Sequence, residues 1–303
     1  MRNAFINTIL DACAGRDDIF IISGDAGLGV FDTFKDRHPD RFLNLGAAEQ
    51  NMIGFAAGLA ITGYKVVLYN IIPFVLYRCY EQVRNDICYQ DLPVILAGIG
   101  SGVTYAPQGM THYSIEDLAL ARTMPNLEVF SPIDPVEARL AAKYALSARA
   151  PVYVRLAKRG EPDIHRQQDL DITKPQVLAE GEAVALLCHG SIGEEAMRAV
   201  QILHDAGIRP RVLSVPMVQP LNRQALAEAL QGIGAVLTVE EHYRSCGFGA
   251  AMGEFLRESG LTCSLTTLGV PSRFIHEIHD TAGMRRLFGI DAVSIAAKVK
   301  QLL

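Results

Sequence analysis

Short runs rich in Val, Ile and Leu alternate with stretches of helical period along most of this chain, and that alternation leaves few architectures open. Runs at 18–23, 42–45, 65–69, 93–98, 127–130 and 152–156 are each four to six residues long, the length of a strand. Between them lie helical patterns. The first, over 3–14, places Phe5, Ile6, Ile9, Leu10 and Cys13 on one side, and others follow at 47–61, 75–90 and 115–122. A further helix starts at Asp134-Pro135, an N-cap followed by proline at the first helical position. Strands apolar on both faces need helices packed against each face, so the pattern predicts a mostly parallel, doubly wound α/β sheet. A polar stretch without period over 157–180 interrupts it, and a second series resumes with strands at 183–188, 211–215, 235–240 and 263–268. Helices are expected over 192–206, 222–231 and 247–258. The reading is a larger α/β domain at 1–165, a linker at 166–180 and a smaller α/β domain at 181–303, as suits 303 residues.

Composition narrows the class of function. A formal net charge of −5 argues against nucleic acid or an anionic membrane as the main partner. No apolar run is long enough to span a bilayer. The opening residues read as an amphipathic helix without a long apolar core or cleavage site, so a cytoplasmic location is expected. Six cysteines are scattered with no CxxC pair and no Cys/His set at zinc-ligand spacing, which predicts buried reduced thiols, not a disulfide framework or a zinc site.

Candidate chemistry sits at expected strand ends. The turn Gly24-Asp25-Ala26-Gly27-Leu28-Gly29 follows the first strand, where open α/β sheets place ligands. Glu49 opens a helix crowded with Ala and Gly; it is either a helix-start acid facing the dipole or a buried functional carboxylate. Gly98-Ile99-Gly100-Ser101-Gly102 is poor as a dinucleotide fingerprint, because a loop and not a helix follows; it reads better as an active-site loop. His112, in that loop, is suited to proton transfer near neutral pH, and equally to a solvated loop position. Arg155, Lys158 and Arg159 suit an anionic substrate tail or a solvated edge, and Arg2 is as open. Glu240-Glu241-His242 reads as a metal or acid/base cluster, or as a structural corner in the second domain.

Taken together these residues resemble the C-terminal half of transketolase, in the form where that enzyme is split into two polypeptides. The likeness covers nearly the whole chain. It rests on Ser23-Gly24-Asp25-Ala26, the block from Gly46-Ala47-Ala48-Glu49-Gln50-Asn51 to Gly58-Leu59-Ala60, and Phe74 with Arg78-Cys79-Tyr80-Glu81-Gln82-Val83-Arg84. Gly109-Met110-Thr111-His112, Thr123-Met124-Pro125-Asn126-Leu127, Ser131-Pro132-Ile133-Asp134 and Val239-Glu240-Glu241-His242 complete it. The resemblance implies a pyrimidine-binding domain followed by a transketolase C-terminal domain, with thiamine diphosphate as cofactor. Glu49 matches the acid that hydrogen-bonds N1′ of the aminopyrimidine, and Phe74 the aromatic stacked on it. Asp25 and Ile71 fall at cofactor-contact positions. His112 matches the loop histidine beside the reacting carbon, and Arg2, Gln108, Arg155 and Lys158 match substrate positions.

The same resemblance implies that half of the site lies elsewhere. The family grips diphosphate and Mg²⁺ (or Ca²⁺) with Gly-Asp-Gly followed by Asn in its other domain; Gly24-Asp25-Ala26 with Asn51 only imitates that spacing. An N-terminal-type partner subunit and an α2β2 assembly are therefore expected, with no metal ligand in this chain. Gln108, Gly29, Gly100 and Ile71 depart from the pattern at an Asp, a Ser, a His and an aromatic position. The expectation is two-carbon ketol transfer from a ketose or its phosphate to an aldehyde, with a non-standard sugar. A 2-oxoacid dehydrogenase E1 β subunit, a deoxyxylulose-phosphate-synthase-like subunit and a non-catalytic partner-binding paralogue stand as alternatives.

Overall fold

The structure, a computed structural model, describes residues 1–27, 29–158 and 160–303. Among them are twelve strands: β1 Ile19–Ser23, β2 Phe42–Asn44, β3 Lys65–Ile71, β4 Ile95–Ile99, β5 Glu128–Phe130 and β6 Val152–Leu156, then β7 Gln176–Ala179, β8 Val184–Cys188, β9 Arg211–Ser214, β10 Met217–Gln219, β11 Ala235–Tyr243 and β12 Ser264–Val270. Seven form one sheet in the order β10-β5-β6-β4-β3-β1-β2, and five form another in the order β12-β11-β8-β9-β7. Pairing among β1 to β6 is parallel throughout. The strands β1, β4, β6 and β8 are buried along their whole length, as their unbroken apolar runs predict. Both sheets are thus the mostly parallel α/β layers expected. No helix among the described residues is long and apolar enough to cross a membrane.

Several details differ from the sequence-based expectation. Residues 217–219, counted inside the second domain, pair antiparallel with β5 and extend the first sheet. The strand β7 lies within the polar 157–180 stretch and pairs antiparallel with β9 at the sheet edge. Residues 75–90 are not one regular helix: wide π-type turns at Pro73–Tyr77 and Val83–Cys88 flank a short turn at Tyr80–Gln82. Of the six thiols, Cys246 is exposed and Cys263 half-buried, whereas the other four are buried as expected.

The order of the first sheet fixes where a ligand can sit. From β1 the chain steps outward to β2 on one side and to β3, β4 and β6 on the other. The two directions part between β1 and β3, and the crevice beyond the carboxyl ends of such strands is where open α/β sheets bind ligands. The segments after β1, β2, β3 and β4 all open there.

The second sheet is not an appendage. One apolar core joins Leu96, Met124 and Tyr153 of the first sheet's layer to Leu187, Leu213 and Phe248 of the second. Another packs Val103, Ala106, Tyr113 and Ile115, from the loop after β4, among Leu186, Leu237 and Ile295.

Candidate active site

Glu49 begins the Glu49–Ile61 helix that follows β2 and is 3 % exposed. Burying a carboxylate without a partner costs several kcal/mol, roughly, and its partner is Arg78, whose Nη1 donates to Glu49 Oε2 at 2.7 Å. The Arg78 guanidinium in turn lies over the Phe74 ring, 4.4 Å from its centroid. Phe74 also meets His112 edge-on, with ring centroids 5.6 Å apart. Glu49, Phe74 and His112, drawn from segments after β2, β3 and β4, are thereby brought into one chain of contacts. Arg78, which the sequence offered only as part of a motif, is the residue that links Glu49 to Phe74, and pattern alone did not single it out. Its signal was the four-residue spacing from Phe74, which puts both on one side of a helical turn.

His112 is half-buried, and its Nδ1 pairs with Thr111 Oγ1 at 2.8 Å. Beside this group, Asn70 at the end of β3 is fully buried; its Oδ1 accepts from Ile71 N at 2.8 Å, but its Nδ2 has no partner among the described residues. That amide lies against Gly24, where any side chain would fall 2.2 Å from Asn70 Nδ2. Asp25 is exposed just beyond, and Ile71 is half-buried at the end of β3. A buried carboxylate, an aromatic face and an unpaired amide donor at one switch point suit a flat heteroaromatic ring with its own donors and acceptors.

A second group gathers Arg2, Tyr69, Tyr105 and Lys158. Burial raises the Tyr69 hydroxyl to about 12 while the neighbouring Arg2 cation pulls the other way, and burial likewise raises Tyr105 against the opposing pull of Arg2. Lys158 Nζ stands 4.8 Å from the Tyr105 ring centroid. Gly100, a position where the family pattern has His, has φ +91° and the Tyr105 ring packed on it; a Cβ there would fall 2.0 Å from that ring. Tyr105 therefore takes the space a side chain at Gly100 would need. Gln108 is exposed at the end of the short Ala106–Gln108 turn.

Arg155 is not in either group. It is 1 % exposed, its Nε donates to Asp117 Oδ2 at 2.6 Å, and its Nη2 donates to the carbonyls of Ser114 and Glu241 at 3.2 and 2.8 Å. Every direction of the guanidinium faces protein, so its substrate assignment is corrected: it ties the end of the His112 loop to the second sheet. Arg159, grouped with it in the sequence, lies outside the described residues, as does Leu28 of the Gly24–Gly29 turn.

Glu240-Glu241-His242 proves to be a corner. Glu240 accepts from the backbone of Phe248 and Gly249, at 2.7 and 2.8 Å, and so caps the Phe248–Ser259 helix. Glu241 accepts from Ser191 Oγ and Arg285 Nε, each at 2.6 Å. His242 Nε2 accepts from Ala119 N at 3.2 Å, and burial keeps this ring below its usual pKa and neutral. The loop after β4 rests directly on this corner: Tyr243 N donates to Ile115 O at 2.9 Å, and Gly102 has φ +57° with room for no Cβ, which would fall 2.4 Å from that of Glu241. Gly102→Ala is accordingly expected to cost roughly 2–4 kcal/mol of stability, from backbone strain plus overpacking. Urea unfolding checks this; a loss below about 0.5 kcal/mol, the range of neutral surface changes, would show that the corner yields freely.

The comparisons agree with this layout. Residues 1–161 match the family model described as transketolase, pyrimidine binding domain, and residues 173–295 that of transketolase, C-terminal domain. The chain is similar to one subunit of the apulose-4-phosphate transketolase of Actinobacillus succinogenes, 35% identical over 97% of this chain and 94% of that one. It is also 35% identical to 1-deoxy-D-xylulose-5-phosphate synthase of Thermomicrobium roseum, spanning all of this chain but 48% of that protein. Among solved structures, a split gene transketolase described as an inactive β4 tetramer superposes with a TM-score of 0.90 at 31% identity, covering 100% of this chain and 97% of that one.

Proposed function

The chain belongs to the transketolase family, and from that premise we propose that it is the pyrimidine-side subunit of a two-component enzyme of the cytoplasm. In this reading it moves a two-carbon ketol unit from a ketose phosphate to an aldehyde. The observation that carries it is the meeting of Glu49, Phe74 and His112 at the switch point between β1 and β3. Residues 1–165 and 181–303 serve as its two domains, laced together through β10.

Bound thiamine diphosphate supplies a nucleophilic carbon and an electron sink for cleavage of the ketose. This chain's residues do the rest on one side. Glu49 accepts a ring N–H and exchanges that proton in surroundings dry enough to make the contact strong. Phe74 offers a stacking face, with Ile71 beside it. His112, with Nδ1 engaged by Thr111, leaves Nε2 to exchange a proton with a substrate hydroxyl. Arg2 and Lys158 flank Tyr105 and hold the anionic end of the sugar.

The diphosphate and its Mg²⁺ or Ca²⁺ fall to a partner subunit carrying Gly-Asp-Gly…Asn, in an α2β2 assembly. The exposed side of the Glu49–Ile61 helix supports this. Gly54 and Gly58 there have nothing within 4 Å of a would-be Cβ, and Phe55 and Ile61 are 42% and 70% exposed. Small residues in that pattern let a second chain approach the backbone that carries Glu49.

The ring of Tyr105 over Gly100 narrows the substrate end, and the relative from Actinobacillus succinogenes is named for apulose 4-phosphate. We therefore read the donor as a branched or otherwise modified ketose phosphate. Steady-state assay of the reconstituted pair is expected to give kcat/KM for apulose 4-phosphate at least about tenfold above that for xylulose 5-phosphate with ribose 5-phosphate, a difference of about 1.4 kcal/mol. Equal or greater efficiency with the common pentose phosphates would sink the proposal. The deoxyxylulose-phosphate-synthase alternative is not favoured, since a relative matched over nearly all of both chains is named a transketolase subunit, whereas the synthase is matched over only 48% of its length.

A further inference from the structure

The two groups assigned to the cofactor ring are already engaged, and by one side chain. Arg78 Nη1 donates to Glu49 Oε2 at 2.7 Å, while its planar cation covers a face of Phe74 at 4.4 Å. A flat ring that donates N–H to Glu49 and stacks on that face of Phe74 must take both contacts from Arg78. The side chain is built to yield them. It is 47% exposed, so its charge loses little by turning to water. Its backbone sits where the winding breaks: Arg78 ends the Pro73–Tyr77 π-type turn, and Cys79 beyond it has non-helical φ −120°, ψ 28°. Glu49 has no such freedom, at 3% exposed on the first turn of its helix.

We propose that Arg78 is a placeholder, satisfying Glu49 and covering Phe74 while the ring site is empty and leaving both when the cofactor enters. This rests on the assignment of Glu49 and Phe74 to the aminopyrimidine. It gives the unloaded subunit a neutralised acid and no bare aromatic face. In return, loading pays the cost of opening the pair, so the observed affinity is lower than the intrinsic one by the fraction of chains in which Arg78 has swung away.

The test is calorimetric titration of the reconstituted pair of subunits with thiamine diphosphate and Mg²⁺. Arg78→Ala is expected to lower Kd by about three- to tenfold, with Arg78→Lys between it and the parent because the ammonium keeps the charge but not the planar fork. A second readout needs no turnover: the cofactor-free Arg78→Ala subunit should melt a few degrees below the parent, about the shift for loss of one charged hydrogen bond, and saturating cofactor should close that gap. Unchanged or weaker binding by Arg78→Ala, or a gap that persists in the loaded pair, overturns the placeholder and makes Arg78 part of the loaded site. If Arg78→Ala does not fold, Arg78→Lys carries the same comparison. Glu49→Gln separates the two levels. Unchanged Kd in that variant overturns the assignment of Glu49 itself, whereas weaker binding there with weaker binding in Arg78→Ala overturns the placeholder alone.

Discussion

Replacing Glu49 by Ala in the reconstituted enzyme is expected to lower kcat/KM by at least about a thousandfold, a loss of about 4 kcal/mol in transition-state stabilisation. Its effect on folding should be small. The partner left behind is Arg78, which is 47% exposed and can turn to solvent, so no uncompensated charge stays buried. Loss of turnover without loss of stability is the mark of an acid kept for chemistry. The measurement is kcat/KM together with the urea midpoint of the same preparation. Activity within tenfold of the parent would remove Glu49 from the mechanism, and a collapse in stability would return it to a structural role.

At Asp117 the expected loss is first one of stability. Its Oδ2 accepts from Arg155 Nε at 2.6 Å and from Tyr153 Oη at 2.8 Å, and neither Asp117 nor Arg155 is more than 1% exposed. Asp117→Ala leaves the guanidinium buried without its counter-ion, a defect worth about 3–5 kcal/mol. Combining it with Arg155→Met removes the stranded charge and should recover part of that loss. Recovery will be incomplete, because the carbonyls of Ser114 and Glu241 then lose their donor. Chemical denaturation of the two single variants and the double variant checks this. Strict additivity, with the double as destabilised as the sum of the singles, would mean the pair is not coupled as described. Because Ser114 ends the loop that carries His112, the surviving double variant is also expected to lose activity, through a site that is no longer held in register.

These two residues mark what could be read from the sequence and what could not. Strand β6 was legible to the residue, since Val-Tyr-Val-Arg-Leu is bounded by proline and alanine. The Asp134-Pro135 cap was legible too: Asp134 Oδ1 accepts from Glu137 N at 2.9 Å. Glu49 and Phe74 stood out through their motif, and the structure joins them. Arg155 was misjudged because it was grouped with Lys158 and Arg159 as a basic rim, although the expected strand 152–156 already contained it and that strand is buried at every position. An arginine in such a strand signals a buried carboxylate, here supplied by Asp117 from the start of the Asp117–Ala121 helix, which no local pattern connects to it. Strand β10 was invisible for a different reason. Three residues between Pro216 and Pro220 have no period to detect, and only the open edge of β5 makes them a strand. Likewise β7 is a half-exposed edge strand, so burial imposes little alternation on its sequence.

The role of the second sheet follows from the same contacts. The loop after β4 packs Val103, Tyr113 and Ile115 into its core, rests Gly102 against Glu241 and receives Arg155 at its end. The loop that carries His112 is thus held from both sheets.

In the proposed function, this chain supplies one half of a cofactor site. That reading is tested most directly by titrating thiamine diphosphate with Mg²⁺ into the chain alone, into the proposed Gly-Asp-Gly subunit alone, and into an equimolar mixture. Saturable binding accompanied by ketol transfer only in the mixture is the predicted result. Stoichiometric binding and turnover by this chain alone, or a mixture that binds no cofactor, would contradict it.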